Sequence, residues 1–598
     1  MKILIFSPFS AIWTHAFPEA SIADALIQEG NEVLYVHCDR IFSEYCVAMS
    51  AHGLNHFSDK SEKQAVCDKC NELRDGLNTR FRFASRTIES YLTSKDNTTI
   101  DDIINSLSYQ SFESYNLNDI PIGKIALYDV LLHYKKSDLN FSEKEWASYR
   151  INFKNTLYSY FASSNIIERE KPDRILIYNT LYSVNQALKV LGNQKGIPVY
   201  FLHAGENLSN RLSTMIVSLN STFDYRRELI SKWNQFKNST CTEVEANSVK
   251  NHFLTLFQGK HFLAYSSAVQ STISIREFFK ISPEKKVIVA TMSSYDERFA
   301  GESIGELRKS NSLIFDSQIE WISELIKYFN NNPQLFLIIR VHPREFPNKR
   351  DGVRSKHSLE LEKIFKEIPV NTAINWPTDN LSIYDLAKET DLFLNAWSSV
   401  GEEMSLFGIP VLIYSPELIL YPADINYVAE SKADYFEKLN LALNDGLNFE
   451  NTKKAFRWYA LKLYKSVFKI SDEFHYHEDF SLRKGGFFKK LKTRFILKKS
   501  EFNGMVSRIF RRKYFHYSYD LSSYRRMNDS KEISLLIRNK YSSKLDLYRK
   551  VDLEENEHEE IEIRRTMNKI LSALFNLPFE KEKSLYKFWT KNSEGRQS

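Results

Sequence analysis

The sequence predicts an α/β protein of two Rossmann-like, doubly wound domains facing a cleft, followed by a helical C-terminal extension. Three observations predict it. Residues 2–37 run strand, helix, glycine, strand, which is a βαβ unit. A second series of apolar strands and intervening helices begins near Lys286. Beyond about residue 450 that rhythm stops. The expected domains are 1–255, with a helical insertion at about 75–165, then 256–450, then the extension 451–598.

In the first domain, 2–7 reads as a buried parallel strand. A loop with His15 and Glu19 follows, then a helix over 20–30 closed by Gly30, then a strand over 31–37. No G-x-G-x-x-G fingerprint is present, so dinucleotide binding is not inferred. Further strands are expected at 174–178 and 197–203, with a helix over 183–191 between them. The second of these strands ends in His203-Ala204-Gly205-Glu206. In the second domain, strands are expected at 286–291, 335–341, 372–376, 392–395 and 409–414. Helices are expected at 316–330, 359–367, 382–388 and 400–407.

Length and composition bound the rest. A chain of 598 residues suits two to four domains. With 43% hydrophobic and 26% charged residues it has globular composition, which excludes a disordered chain. The N-terminal apolar run is shorter than the roughly 7–15 residues of a signal peptide, and no run approaches the 18 or so of a membrane helix. A cytoplasmic location is therefore expected. Fourteen Lys and Arg lie within 483–526 against two acids, Glu501 and Asp520, so the rest of a chain of net charge +6 is acidic. So local an excess suits one surface facing an anion. Aromatics interleave with these cations in 487–499 and 510–515. That pattern fits an anionic membrane surface. Single-stranded RNA and a plain solvated helix face are the rivals, and nucleic acid is not the expected partner.

The densest chemistry lies between residues 335 and 411. A buried strand delivers Arg340-Val341-His342-Pro343-Arg344-Glu345 at its C-terminal end. Some fifty residues later Asn395-Ala396-Trp397-Ser398-Ser399-Val400-Gly401-Glu402-Glu403 runs from strand into helix. Ser398, Ser399 and Gly401 are placed at that helix's N-terminus, where unpaired N–H groups bind phosphate without a metal. Small residues there would let phosphates approach closely. His342 can donate to a phosphate oxygen, and Pro343 fixes its loop. Glu402 or Glu403 suits ribose hydroxyls.

A base or nucleophile is expected across the cleft, from His15, Glu19 or Glu206, or from Asp296 or Glu297 after the first strand of the second domain. No Asp-x-Asp pair offers itself to a metal, so metal-independent chemistry is expected, with no cofactor beyond the donor substrate. Cys67-x-x-Cys70 has the spacing of half a zinc knuckle, and Cys38 and Cys46 supply a looser second pair. Four thiolates suit structural zinc or an iron–sulfur cluster. Unrelated reduced thiols are the alternative.

The segments 337–345, 382–386 and 397–411 resemble the donor domain of bacterial capsule and surface-polysaccharide glycosyltransferases, the Kdo-transferase-like group. The resemblance covers about 286–425 well, 1–255 weakly, and nothing in 450–598. It implies a GT-B fold, a nucleotide-sugar donor and a glycan or glycolipid acceptor. It implies that His342, Ser398 and Ser399 contact nucleotide phosphate and that Glu403 is the ribose-binding acid, with Glu402 its neighbour and rival. A CDP-glycerol-type polyol-phosphate transferase and a non-catalytic scaffold of a capsule assembly complex are the other readings.

Overall fold

A computed structural model describes residues 1–259, 265, 267–270, 273–310, 313–348, 352–470, 527–548, 558–575 and 589. The basic stretch 483–526, and the membrane contact expected of it, lie outside the described residues.

The first sheet has seven strands: β1 Lys2–Ser7, β2 Glu32–His37, β3 Ala84–Thr87, β4 Arg174–Tyr178, β5 Val199–Ala204, β6 Thr214–Leu219 and β12 Phe468–Lys469. Their order is β12-β6-β5-β4-β1-β2-β3. Strands β3 to β5 are parallel, with Leu4 of β1 opposite Leu34 of β2 and Ile175 of β4. Strand β6 turns antiparallel on β5, and β12 antiparallel on β6. Residues Ile3 to Phe6 have no exposed surface, as a parallel strand covered on both faces requires.

The second sheet has five strands: β7 Lys286–Thr291, β8 Leu335–Arg340, β9 Thr372–Asn375, β10 Leu392–Asn395 and β11 Val411–Ile413. All are parallel, in the order β11-β10-β7-β8-β9. Counted from its own first strand, each sheet has the central order 3-2-1-4-5 of a Rossmann unit. Two such units with a connecting C-terminal chain make the GT-B arrangement.

The C-terminal chain crosses back between the units. The helix Phe449–Ala460 passes through a π-turn, Leu461–Lys465, and delivers β12 to the first sheet. Within the extension, the helix Ser530–Asn539 packs on Trp13–Gln28 of the first unit. The helix His558–Phe575 packs on Glu243–Phe257. Trp589 is fully buried and donates from its indole N–H to the Phe407 carbonyl at 3.1 Å. The described parts of the extension thus brace both units.

Three elements differ from the sequence reading. His15 and Glu19 lie in the helix Trp13–Gln28, not in a loop before it. Pro18 removes one backbone donor inside that helix, but Ala16, Phe17, Ala20, Ile22, Ala23 and Leu26 are all buried, and their packing holds the turn. The helical insertion contains β3, a polar edge strand of sequence Ala-Ser-Arg-Thr. Finally, Glu243–Phe257 faces the second unit: Phe253 and Phe257 pack against Tyr384 and Phe407.

The insertion also reaches the second unit. Lys135 Nζ donates to the carbonyls of Phe346 and Val353, and Arg344 donates to the Leu132 carbonyl at 3.2 Å. Among the described residues no helix is long and apolar enough to cross a membrane.

Leu536 has no exposed surface in the 530–539 helix. Leu536→Ala is expected to cost about 2–5 kcal/mol of unfolding free energy in urea. A value near zero would mean that this helix does not dock on the first unit.

Candidate active site

The crossovers from β7 and from β10, which are neighbours, leave to opposite sides of the second sheet. The crevice between their C-terminal ends is its topological switch point. Two loops meet there. The Trp397 N–H donates to Ser293 Oγ at 3.0 Å, joining the loop after β10 to the loop after β7. Ser293 itself is held by Gln318, whose amide both accepts from its N–H and donates to its carbonyl.

The two serines after β10 have different duties. Ser398 Oγ donates to Asn395 Oδ1 at 2.8 Å and accepts from the Val400 N–H at 3.3 Å, so it ties its own loop. Ser399 is exposed and donates to Glu403 Oε1 at 2.7 Å. The helix behind them, Val400–Leu406, has only seven residues.

The rival acids separate cleanly. Glu402 is buried, salt-bridged to Lys462 and bonded by the Trp458 indole, both from the returning C-terminal helix. Glu403 is half-buried and held by two hydroxyls, Ser399 Oγ and Tyr384 OH at 2.9 Å. Burial raises the Glu403 pKa against those hydroxyls. Gly401 is needed for packing. A Cβ there would lie 1.8 Å from the Tyr421 hydroxyl and 2.7 Å from Asn395 Nδ2.

His342 follows β8 and caps a short 3-10 turn, Pro343–Glu345. The Arg344 N–H donates to its Nδ1 at 3.2 Å. A neutral imidazole accepting at Nδ1 carries its proton on Nε2, so this turn presets His342 as an Nε2–H donor. The Tyr265 ring stands edge-on to it, centroids 5.4 Å apart. Pro343, at the first position of the turn, fixes that geometry.

Arg340 does not reach a ligand position. It is buried and donates to Asn375 and to the Leu381 carbonyl, stitching β8 to the segment after β9. Burial lowers its pKa to about 10. Asp296 is likewise committed, accepting from Arg344 Nε at 2.8 Å and pairing with its outer nitrogen at 2.6 Å. Burial acts to lower the Arg344 pKa, but Glu297 and Asp296 outweigh it and hold the value high. Glu297 is exposed, accepts from Ser294 Oγ at 2.8 Å and stands 3.6 Å from Arg344.

On the first sheet, rings at the C-terminal ends of β4 and β5 group with one from the helix Trp13–Gln28. His15 lies on Tyr178 with ring centroids 4.0 Å apart, and His203 lies 5.4 Å from the same ring. Burial, with Arg211 adding to it, lowers the His203 pKa to about 4. Burial, then His203 and Arg211, lower that of His15 well below its usual value. Both imidazoles are neutral at pH 7. His203 Nδ1 lies 3.0 Å from the Ala204 carbonyl, which places its proton there.

Glu19 is buried, with its carboxyl taking bonds from the Ser7 hydroxyl and, at 3.3 Å, the Tyr178 N–H. Burial raises its pKa to about 8, so it is a protonated strut between β1 and β4 rather than an open base. Glu206 pairs with Arg226 at 2.5 Å. Burial acts to lower the Arg226 pKa, and the carboxylates of Glu206 and Glu402 together keep it raised. Arg226 thus bridges the two units electrostatically.

Sequence reading did not single out Arg226, Arg211, Tyr178 or Lys462. Tyr178 ends a recognised strand, and its position alone carried the signal. Cys38, Cys46, Cys67 and Cys70 line one cavity. Among the described residues no group of three or more His, Cys, Asp or Glu side chains is placed to hold a metal ion, these four cysteines included.

No protein-family model and no curated protein matches the chain. Solved structures do. One is a putative UDP-N-acetylglucosamine 2-epimerase from Listeria monocytogenes: 12% identity, 78% of this chain and 95% of that one, TM-score 0.25. Another is the UDP-GlcNAc 2-epimerase from Neisseria meningitidis bound to UDP-GlcNAc: 14% identity, 77% and 97%, TM-score 0.24. A third is the Thermosulfurimonas dismutans KpsC beta Kdo 2,4 transferase: 12% identity, 50% and 82%, TM-score 0.31. Likeness at this level assigns neither substrate nor reaction.

The two acids are expected to part on mutation. Glu402→Gln leaves Lys462 buried without its carboxylate and should cost about 3–5 kcal/mol in a denaturant titration. Glu403→Gln should cost under about 1 kcal/mol. Equal losses would refute this division.

Acid should weaken the fold through His203. Its folded pKa of about 4 lies below the usual 6.5. Its contribution to stability is therefore complete above pH 6.5 and is lost as the pH falls to about 4. His203→Gln should flatten the slope of unfolding free energy in that window, and an unchanged slope would place its cause elsewhere.

Proposed function

We propose that the chain is a GT-B glycosyltransferase that holds a nucleotide-activated sugar at the C-terminal edge of the second sheet. The sugar passes to an acceptor bound against the first. The observation that supports this most is the β7/β10 switch point, where Ser293, Ser398 and Ser399 gather beside the strand that carries His342.

As the glycosidic bond to phosphate breaks, negative charge grows on the phosphate oxygens. The preset Nε2–H of His342 and the donors around Ser399 are groups that stabilise such charge without reorganising. Glu403 is engaged by the hydroxyls of Ser399 and Tyr384, so its carboxylate can exchange a hydroxyl partner for a ribose hydroxyl. Glu402 cannot, because Lys462 and Trp458 occupy it.

On the acceptor side, an attacking hydroxyl must lose its proton. His15 is neutral and half-buried on Tyr178, and it is the group we assign to accept that proton. In the finer reading the donor is a CMP-activated acidic sugar of the Kdo kind and the acceptor a bacterial surface polysaccharide or glycolipid. Its support is the likeness of the His-Pro and Ser-Ser segments to that group. The absence of an Asp-x-Asp pair in the sequence favours chemistry without a divalent cation.

A thermal-shift panel of CMP, CDP, UDP, GDP and their sugars tests the donor site. One nucleotide is expected to stabilise the protein by roughly 2.7 kcal/mol at a hundred times its Kd, with the shift lost in His342→Ala. With that donor, His342→Ala should lower kcat/KM by about 10²–10³, and EDTA should leave the rate unchanged. No shift with any nucleotide would overturn the reading. Incorporation of a polyol phosphate instead of sugar would replace it with phosphate transfer.

A further inference from the structure

The turn that presets His342 belongs to the second unit, yet several of its fixings come from the first. The short helix Tyr128–Tyr134 of the insertion ends at Lys135, which takes a left-handed φ of 49°. Lys135 is 2% exposed. Its Nζ donates to the carbonyl of Phe346 at 3.1 Å and to that of Val353 at 2.5 Å. Phe346 closes the turn Pro343–Glu345, so one ammonium ties the turn to the chain returning through Val353. The Ser355 N–H donates to the Glu345 carbonyl at 2.9 Å, and its hydroxyl to the Glu345 carboxyl, closing the same loop. Burial raises the pKa of that carboxyl; the Ser355 hydroxyl, the Tyr295 N–H, Lys135 and Arg344 all oppose it.

Arg344, the middle residue of the turn, reaches the same helix. Its guanidinium donates to the Leu132 carbonyl at 3.2 Å, to the Tyr265 hydroxyl at 3.2 Å and, from Nε, to Asp296 at 2.8 Å. Its backbone N–H is the one that bonds His342 Nδ1. Asp296 lies in the helix Tyr295–Ser303, which is itself embedded in the first unit. Ala300 of that helix and Ile304 beyond it are buried in one apolar cluster with Leu131, Leu181 and Ala187. Glu306 then accepts from Lys189 and, at 3.2 Å, from Gln186 of the helix Ser183–Gln194. The segments after β7 and after β8 are therefore both held from across the seam.

We propose that Lys135 and Arg344 are positioning residues for the donor: through them the first unit holds the His342 turn in the geometry that keeps the imidazole proton on Nε2. Neither is assigned a contact with substrate; both act through His342. The nitrogen that carries a histidine's proton is set by the hydrogen bond the other nitrogen makes. Here that bond comes from the Arg344 N–H, and it lasts only while the turn keeps its shape. A turn of three residues has little internal bonding of its own, so buried fixings outside it decide whether it does. The role of this geometry in phosphate binding rests on the donor reading above; the holding of the turn does not.

The test uses the full chain, with and without nucleotide. Ring-nitrogen NMR resonances of histidine, with His342 assigned by comparison with His342→Gln, report which nitrogen carries the proton. The wild-type chain is expected to show His342 fixed as the Nε2–H tautomer. Lys135→Met keeps the aliphatic stem and removes the ammonium, and it should give averaged tautomers; Lys135→Arg, which keeps the charge, should restore the fixed signal. With donor and acceptor present, Lys135→Met should lower kcat by about 10–10²-fold and leave KM unchanged, since the lost interaction is one made in the transition state. Should Lys135→Met not fold, Arg344→Lys decides the matter, because it keeps the charge and the backbone N–H and loses the planar fork that joins Asp296 to the Leu132 carbonyl. His342 fixed on Nε2 in these variants as in the wild type would overturn the proposal and leave the donor reading standing. Averaged tautomers in the variants of a chain that binds no nucleotide would uphold the positioning and remove the donor reading instead.

Discussion

A parallel sheet ordered 3-2-1-4-5 has one place where neighbouring crossovers part to opposite faces, and there the backbone leaves a crevice that nothing in the sheet itself can fill. This chain contains that constraint twice, at β1/β4 and at β7/β10. Several of the candidate site residues gather at one of the two. Ser293, Ser398 and Ser399 stand at the second crevice, with His342 just beyond the adjoining strand β8. Glu19, His15 and Tyr178 stand at the first. The buried strands set where reactive groups can be, and the loops choose which groups they are.

The two units share one continuous apolar cluster, in which Phe201 and Ile216 of the first sheet belong with Val287, Val289 and Phe336 of the second, and polar contacts add to it. Lys135 and Arg344 reach carbonyls across the seam. Arg226 sits between Glu206 of the first unit and Glu402 of the second. Glu402 is in turn tied to Lys462 on the returning chain. Charges of this kind are strong when enclosed and weaken once water enters. The described helices of the extension pack on both halves, and Trp589 anchors the chain again beside Phe407.

Much of the architecture was legible because apolar runs reveal parallel strands. Nine of the twelve strands among the described residues were read from the sequence, β1 through its Ile-Leu-Ile-Phe run and β8 through Leu-Phe-Leu-Ile-Ile. The three that were not are informative. Strand β3 is an edge strand of polar residues, and β12 has two residues whose pairing depends on a partner about 250 residues away, so neither has a local pattern to detect. Strand β6, Thr-Met-Ile-Val-Ser-Leu, does carry an apolar run after a loop rich in Gly, Asn and Ser, and the sequence reading passed over it. The Trp13–Gln28 helix began earlier than expected because packing, not propensity, carried it past Pro18.

The site was legible in residue type and not in duty. The sequence placed Glu402 and Glu403 side by side, and only the partners Lys462 and Trp458, some sixty residues on, tell them apart. Arg340 and Asp296 have the chemistry of ligands but are used by Asn375 and Arg344. Gly401 is small for Tyr421. Hydrogen–deuterium exchange with and without saturating donor nucleotide tests the central claim most directly. The account predicts slowed exchange at 292–294, 342–346 and 396–403, with little change in the loops after β1 and β4. Protection confined to those first-unit loops would contradict it.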